Sequence, residues 1–406
     1  MNAQPSRIEL EKNIGRSLVF AYVQVFMVLM PVIVLFFESR GLSLSDVLLL
    51  QAWFGAIVVV MEIPSGYLAD MIGRKRTIVV GALFIGLGHS VLLFAEGFWQ
   101  LAIFEGCLGI GFSLISGADL ALLYDTELAL AESEDEQQKA VSRLFTARNI
   151  SEAVAAVSCS VFMLWSMDVA MYAQIVVGWM PLLVALSLVE PPRKRMEEAN
   201  HLDNLRVILR HLLFNGRVLR LTMLALSIWA LTTMFAVWVL QKHWEQQGIE
   251  LVHFGYLWAA LTLVSALSGK YARELEDRFG SGVMLLIIGL GPVAGYLGLG
   301  FFGMLGGLIA SIPFFACRGF GIVILRDALN SRVPSEYRAT ANSIASFGFR
   351  AAFVITAPLV GAALDLWGMW TTFMLLAIAS AAIFAVLVLP LILAVQQARA
   401  AAPTGA

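Results

Sequence analysis

The sequence predicts an all-α polytopic membrane protein with twelve transmembrane helices in two pseudo-symmetric six-helix bundles. Three observations carry this. The 406 residues are 59% hydrophobic and only 14% charged, with a mean hydropathy of +0.82; a soluble domain carries roughly 25% charge. The apolar residues come in runs near the ~20 residues that a helix needs to cross a bilayer. The cations fall between alternate runs rather than evenly. Closed β-barrels also satisfy the backbone in lipid, but their ten-residue alternation is missing here.

The first six spans are expected at about 17–37, 46–67, 78–95, 100–123, 149–166 and 170–189. The second six are expected at about 219–240, 253–271, 281–301, 305–326, 341–363 and 370–394. This gives a first bundle over 1–190, a linker over 191–218 and a second bundle over 219–406. The linker, "EPPRKRMEEANHLDNLRVILRHLLFNGR", is the longest polar insertion. Pro191 and Pro192 end the sixth helix, and the basic, periodic stretch 202–213 predicts a surface helix. With both termini placed in the cytoplasm, 23 of the 27 cations lie on the cytoplasmic side. Arg40 and Lys242 face outward, and Arg318 and Arg350 fall within spans. That bias predicts both termini inside. The polar N-terminus shows no signal peptide. Net charge is −2, so nothing points to nucleic acid. Cys107, Cys159 and Cys317 all sit in apolar runs, as packing residues rather than a disulfide framework. Trp99, Trp244 and Trp367 are expected as interfacial anchors, and the glycines between Gly289 and Gly307 as close-packing devices.

Between spans two and three stands "GYLADMIGRKR", with Gly66, Asp70, Gly73 and Arg74 in fixed order. An echo follows span eight, "SGKYARELEDRFGS", with Gly269, Ala272, Asp277, Arg278 and Gly280; this suggests duplicated bundles. The loop, the twelve spans and the central linker resemble the major facilitator superfamily of secondary transporters, over nearly the whole chain. The resemblance implies a gate. Gly66 would let helices approach, Gly73 would allow a tight turn, and Asp70 would face a helix N-terminus near the start of span eleven. Arg74 would pair with Asp119 or Asp125 at the end of span four. "SGADLALLYDTE" and the span-eleven sequence are similar to bacterial permeases and efflux proteins of that superfamily. The chain departs from the drug antiporters in two places: Glu105 stands where they carry an arginine, and span five lacks their Gly-Pro motif.

The resemblance also implies that spans one, four, seven and ten line the cavity. Ionisable groups at that depth are costly and are functional candidates. On span four, Glu105, Phe112, Ser116 and Asp119 are spaced 7, 4 and 3 apart, which predicts a single polar face on the helix. Either carboxyl can serve as a proton-binding group, and Asp119 can instead be a structural partner of Arg74 or Arg148. Arg318 in span ten and Arg350 in span eleven stay charged and need an anion, a carboxylate or water. Glu62 of span two is a candidate partner for Arg350. Tyr22, Phe26 and Trp229 either complete a site or pack. No cofactor, metal cluster, ATPase motif or catalytic constellation is expected, which argues against an enzyme or a primary pump.

The function this implies is alternating-access transport in a bacterial inner membrane by a monomer. The first expectation is proton-coupled export of a small organic or amphipathic compound. Uptake of an anionic metabolite and flipping of lysolipids are alternatives. A transport-inactive membrane sensor or scaffold is the competing class.

Overall fold

The computed structural model describes residues 5–130, 134–192, 216–334 and 337–401; the side chains at 63, 70, 134–141, 339 and 398–401 fall outside that description. The surface helix expected over 202–213 also lies outside the described residues. The chain divides into two compact units, one of residues 1–197 with 250–259, the other of 198–249 with 260–406.

In unit 1 the helices are α1 (Arg7–Gln24), α2 (Ile33–Ser39), α3 (Leu44–Ile72), α4 (Arg74–Val91), α5 (Phe98–Ile115), α6 (Ala118–Ala129), α7 (Glu134–Met163) and α8 (Met167–Ser187). Their starts are written locally. Ser6 with Glu9, and Ser43 with Asp46, form capping boxes at α1 and α3. Ser166 caps α8 by accepting from the Val169 amide at 3.2 Å. Span one is not the single helix expected over 17–37. It breaks between Gln24 and Ile33, around a 3₁₀ turn at Met30–Val32. Pro31 explains this, because it has no N–H to give and its ring crowds the carbonyl four residues back. Span four breaks too: Ser116 is extended (ψ 123°) and Gly117 takes φ 85°, a left-handed conformation suited to glycine.

Unit 2 contains α9 (Arg217–Ile228), α10 (Ala230–Gln246), most of α11 (Phe254–Phe279), α12 (Ser281–Phe301), α13 (Met304–Asn330), α14 (Arg338–Ile383) and α15 (Leu389–Ala401). Spans eleven and twelve run together in α14, with Gly368 at φ 75° marking the turn between them. A π turn at Phe384–Val388 joins α14 to α15. Its core gathers Trp229, Met284, Ile288, Cys317, Ile324 and Leu391. Glycine lets α12 and α13 come close: a Cβ at Gly295 would lie 2.5 Å from the Phe314 ring. Trp99 and Trp367 are well exposed, as anchors should be, but Trp244 is 1% exposed and packs inside.

Among the described residues, nine helical stretches are long and apolar enough to cross a membrane. The difference from twelve has three local causes. Span one is broken, span five shares its helix α7 with polar residues such as Arg148, Asn149 and Glu152, and spans eleven and twelve count as one stretch from Thr340 to Gln397.

Candidate functional site

The turn between α3 and α4 is held by an acid far away in sequence. Gly73 takes φ 105° and ψ 151°, which L side chains rarely adopt. Beyond it, the Arg74 and Lys75 amides donate to the two oxygens of Glu190, at 2.9 and 2.7 Å. A carboxylate on the first turn satisfies orphan donors and complements the helix dipole. A Cβ at Gly73 would lie 3.1 Å from the same carboxylate. Asn13 of α1 fixes the approach of Glu190: its amide donates to the Val189 carbonyl at 3.0 Å and accepts from the Val189 N–H at 2.8 Å. Sequence reasoning missed both residues. An acid placed directly before two prolines was the available signal for Glu190; a lone asparagine in an N-terminal helix gave none for Asn13.

The Arg74 guanidinium pairs with Asp125 and donates to the Ala121 carbonyl. Asp119 pairs with Arg148 of α7 instead, and its carboxylate is buried. Of the two acids considered for Arg74, the geometry therefore selects Asp125. Gly66 lies exposed on α3, with nothing within 4 Å of where a Cβ would go. The Asp70 side chain lies outside the described residues.

The break at Ser116–Gly117 overturns the single polar face expected on span four. Glu105, Phe112 and Ser116 belong to α5 and its end, whereas Asp119 starts a new helix. Ser116 is exposed, and Phe112 meets Phe54 edge-to-face, with centroids 6.2 Å apart.

Glu105 is 5% exposed. Among the described residues its partner is the Gln51 amide of α3, which donates at 2.7 Å. The flanking Leu101, Phe104 and Leu108 are buried as well. The site is therefore a carboxyl held by a neutral amide among apolar side chains. Tyr22 is half-buried against Phe26, and Glu62 is half-buried on α3.

In unit 2, Arg318 is exposed on α13 and has no carboxylate partner among the described residues; Arg350 is half-buried on α14. Trp229 is not a cavity wall. It is 3% exposed, its indole donates to the Ile288 carbonyl at 3.0 Å, and its ring fills the space a Cβ at Gly321 would need.

A further buried relay was not foreseen. The Leu29 N–H, freed by the break in span one, donates to Gln174 Oε1 at 3.2 Å. Gln174 Nε2 lies 2.9 Å from His89 Nε2, and His89 Nδ1 lies 2.8 Å from the Ile85 carbonyl. A carbonyl only accepts, so Nδ1 carries the proton and Nε2 accepts from the amide. Spans one, three and six are thereby tied at one point.

The family profile of the Major Facilitator Superfamily matches residues 17–333. The chain belongs to the major facilitator superfamily. It is a secondary transporter and a multi-pass membrane protein, not an enzyme. Several solved transporter structures share its fold over nearly their full lengths. A nucleoside transporter, NupG, superposes with a TM-score of 0.79 at 10% identity, covering 95% of this chain and 99% of that one. A bacterial homolog of the lysosomal transporter Spinster, in an inward-facing and unoccupied conformation, gives 0.75 at 14%, covering 97% and 98%. A D-xylose–proton symporter gives 0.68 at 14%, covering 94% and 97%. At such identities the likeness concerns fold alone. An uncharacterized transporter of Buchnera aphidicola subsp. Schizaphis graminum (strain Sg) is 35% identical over 72 residues, and the match spans only 18% of either chain.

Proposed function

We propose that this superfamily member is a proton-coupled exporter of a small organic or amphipathic compound. It works by alternating access in a bacterial inner membrane, as a monomer with both termini cytoplasmic. The observation that carries the reading is the Glu105–Gln51 pair. An ionised carboxylate is costly to bury beside a neutral amide, so this group suits taking up a proton in one state and releasing it in another. Asp119 is tied to Arg148 and serves structure in this reading. Gly73, Arg74 and Asp125 act with Gly66 and Asp70 as the gate.

The test uses proteoliposomes with an imposed pH gradient and a panel of lipophilic cations and neutral amphiphiles. Glu105→Gln should keep exchange at equal pH and lose gradient-driven accumulation. Accumulation at the wild-type level in that variant would sink the reading. Asp70→Asn should abolish flux in a protein that stays folded and inserted; a scaffold would keep its phenotype.

A second reading follows from Arg318, exposed in a span without a carboxylate partner among the described residues. An anionic substrate would supply the missing charge. Thermal stabilisation by organic anions that vanishes in Arg318→Ala would favour this reading over cationic export.

A further inference from the structure

At the end of unit 2 where α13 finishes, the ends of α9, α11, α12, α13, α14 and α15 surround a cavity of about 660 Å³. A second hollow of about 410 Å³ shares Val218 and Arg332 with it and adds Arg217. The lining is rich in cations. Arg273, Arg332 and Arg338 reach the larger space, together with Glu276 and Asp327.

These acids do not balance the arginines. Asp327 is engaged by Arg273 Nε at 2.6 Å, and Glu276 accepts from the Ser281 hydroxyl. Among the described residues, Arg217, Arg332 and Arg338 have no carboxylate partner. Among the described residues, Arg338 commits its Nε alone, to the carbonyls of Asn330 at 2.8 Å and Val333 at 3.3 Å. Among the described residues, Arg332 commits one terminal nitrogen, to the Ala328 carbonyl at 2.7 Å and the Ser331 hydroxyl at 3.3 Å. Each guanidinium is thus anchored and still has N–H donors to offer, the arrangement that binds phosphate oxygens in pairs. The cytoplasmic excess of cations in membrane proteins accounts for their sign. It does not account for their meeting around two hollows that share Val218 and Arg332.

Unit 1 offers an internal comparison. There the helix after the glycine turn carries the chain's own anion, Glu190, and Arg74 is matched by Asp125. In unit 2 the turn recurs at Gly280, φ 83°, and Arg273–Asp327 supplies the matched pair. The last helix, however, brings neutral Gln396 and Gln397 to its end, with Gln397 lining the smaller hollow.

We infer that this cavity is a binding site for a soluble phosphate-bearing anion. A lipid headgroup has the same chemistry. The surrounding helix ends, however, favour entry along the bundle axis over entry from the bilayer.

The experiment follows thermal unfolding of the purified full-length protein against inorganic phosphate and pyrophosphate, with chloride at matched ionic strength as control. A parallel arm compares phosphatidylglycerol with phosphatidylcholine nanodiscs. The midpoint should rise with phosphate or pyrophosphate concentration and not with chloride. Arg332→Gln with Arg338→Gln should weaken the response about tenfold for each guanidinium removed. Both arginines also cap carbonyls, so Arg217→Gln provides a second variant that spares those bonds; it should weaken the response in part. Arg7→Gln, on the exposed N-terminal helix, should change nothing. An equal response to chloride, or an unchanged response in all the cavity variants, overturns the site. Stabilisation confined to phosphatidylglycerol nanodiscs overturns the soluble ligand in favour of a lipid headgroup.

Discussion

Replacing Glu190 by alanine should loosen the first unit more than a surface change would. The carboxylate accepts two backbone N–H groups at 2.9 and 2.7 Å on the first turn of α4. Each such bond to a charged acceptor contributes about 1–1.5 kcal/mol net at a half-buried position. The dipole interaction adds about 0.3–1 kcal/mol. Partial rehydration of the freed amides leaves an expected cost of about 2–3 kcal/mol. For a unit of about 200 residues this lowers the unfolding midpoint by roughly 4–12 °C. Gly73→Ala should also destabilise, by about 1–3 kcal/mol for the backbone conformation alone. It should cost more while Glu190 stands 3.1 Å from the new Cβ. The two changes should therefore couple, the double variant costing at least about 1 kcal/mol less than the sum. Thermal unfolding in one detergent, with all four proteins, completes the cycle. A midpoint for Glu190→Ala within about 1 °C of wild type would refute the capping argument. Additivity within about 0.5 kcal/mol would refute the contact.

Three further outcomes follow from the same geometry. Arg148→Ala strands the buried Asp119 carboxylate and should cost about 3–5 kcal/mol; Asp119→Asn added to it should recover most of the loss in the same unfolding assay. Gln174→Leu removes the acceptor of the Leu29 N–H and the donor to His89; about 2–3 kcal/mol should be lost, and hydrogen exchange at Leu29 should accelerate, whereas an unchanged Leu29 rate would count against the relay. Glu9, which lies before the first apolar span, has its pKa lowered by the Ser6 backbone and side-chain hydrogen bonds. A folded-state pKa below the unfolded one gives stability that is present above the unfolded value and lost as pH falls through the folded one. Protection of the amides at the start of α1, taken relative to their intrinsic exchange rates, should therefore fall as pH drops through the glutamate range, and Glu9→Gln should lack that dependence.

What the sequence made legible was whatever depends on composition and short spacing. Apolar runs marked the spans, and Gly73 marked a turn that no other residue makes comfortably. Span one shows where this stops. Its hydropathy continues smoothly across the break, and Pro31 alone did not say whether the helix would bend or end. Gly117 hid in the same way, since one glycine inside an apolar run reads as packing. The candidate site was legible as a set of costly residues but not as a set of pairs. Asp119 and Asp125 looked equivalent on paper; the turn at Gly117 sends one to Arg148 and the other to Arg74. Glu190 and Gln174 act on backbone groups 116 and 145 residues away, a distance over which no local pattern speaks.

The Gln174–Leu29 bond also bears on the order in which the protein is made. Span one emerges first, with an amide at its break that has no helical acceptor. Its acceptor belongs to span six, which is synthesised 145 residues later. Until then that N–H needs water or a temporary partner, because hydrocarbon offers none. Insertion of the first segment is therefore provisional, and the first bundle becomes self-sufficient only when its sixth helix arrives.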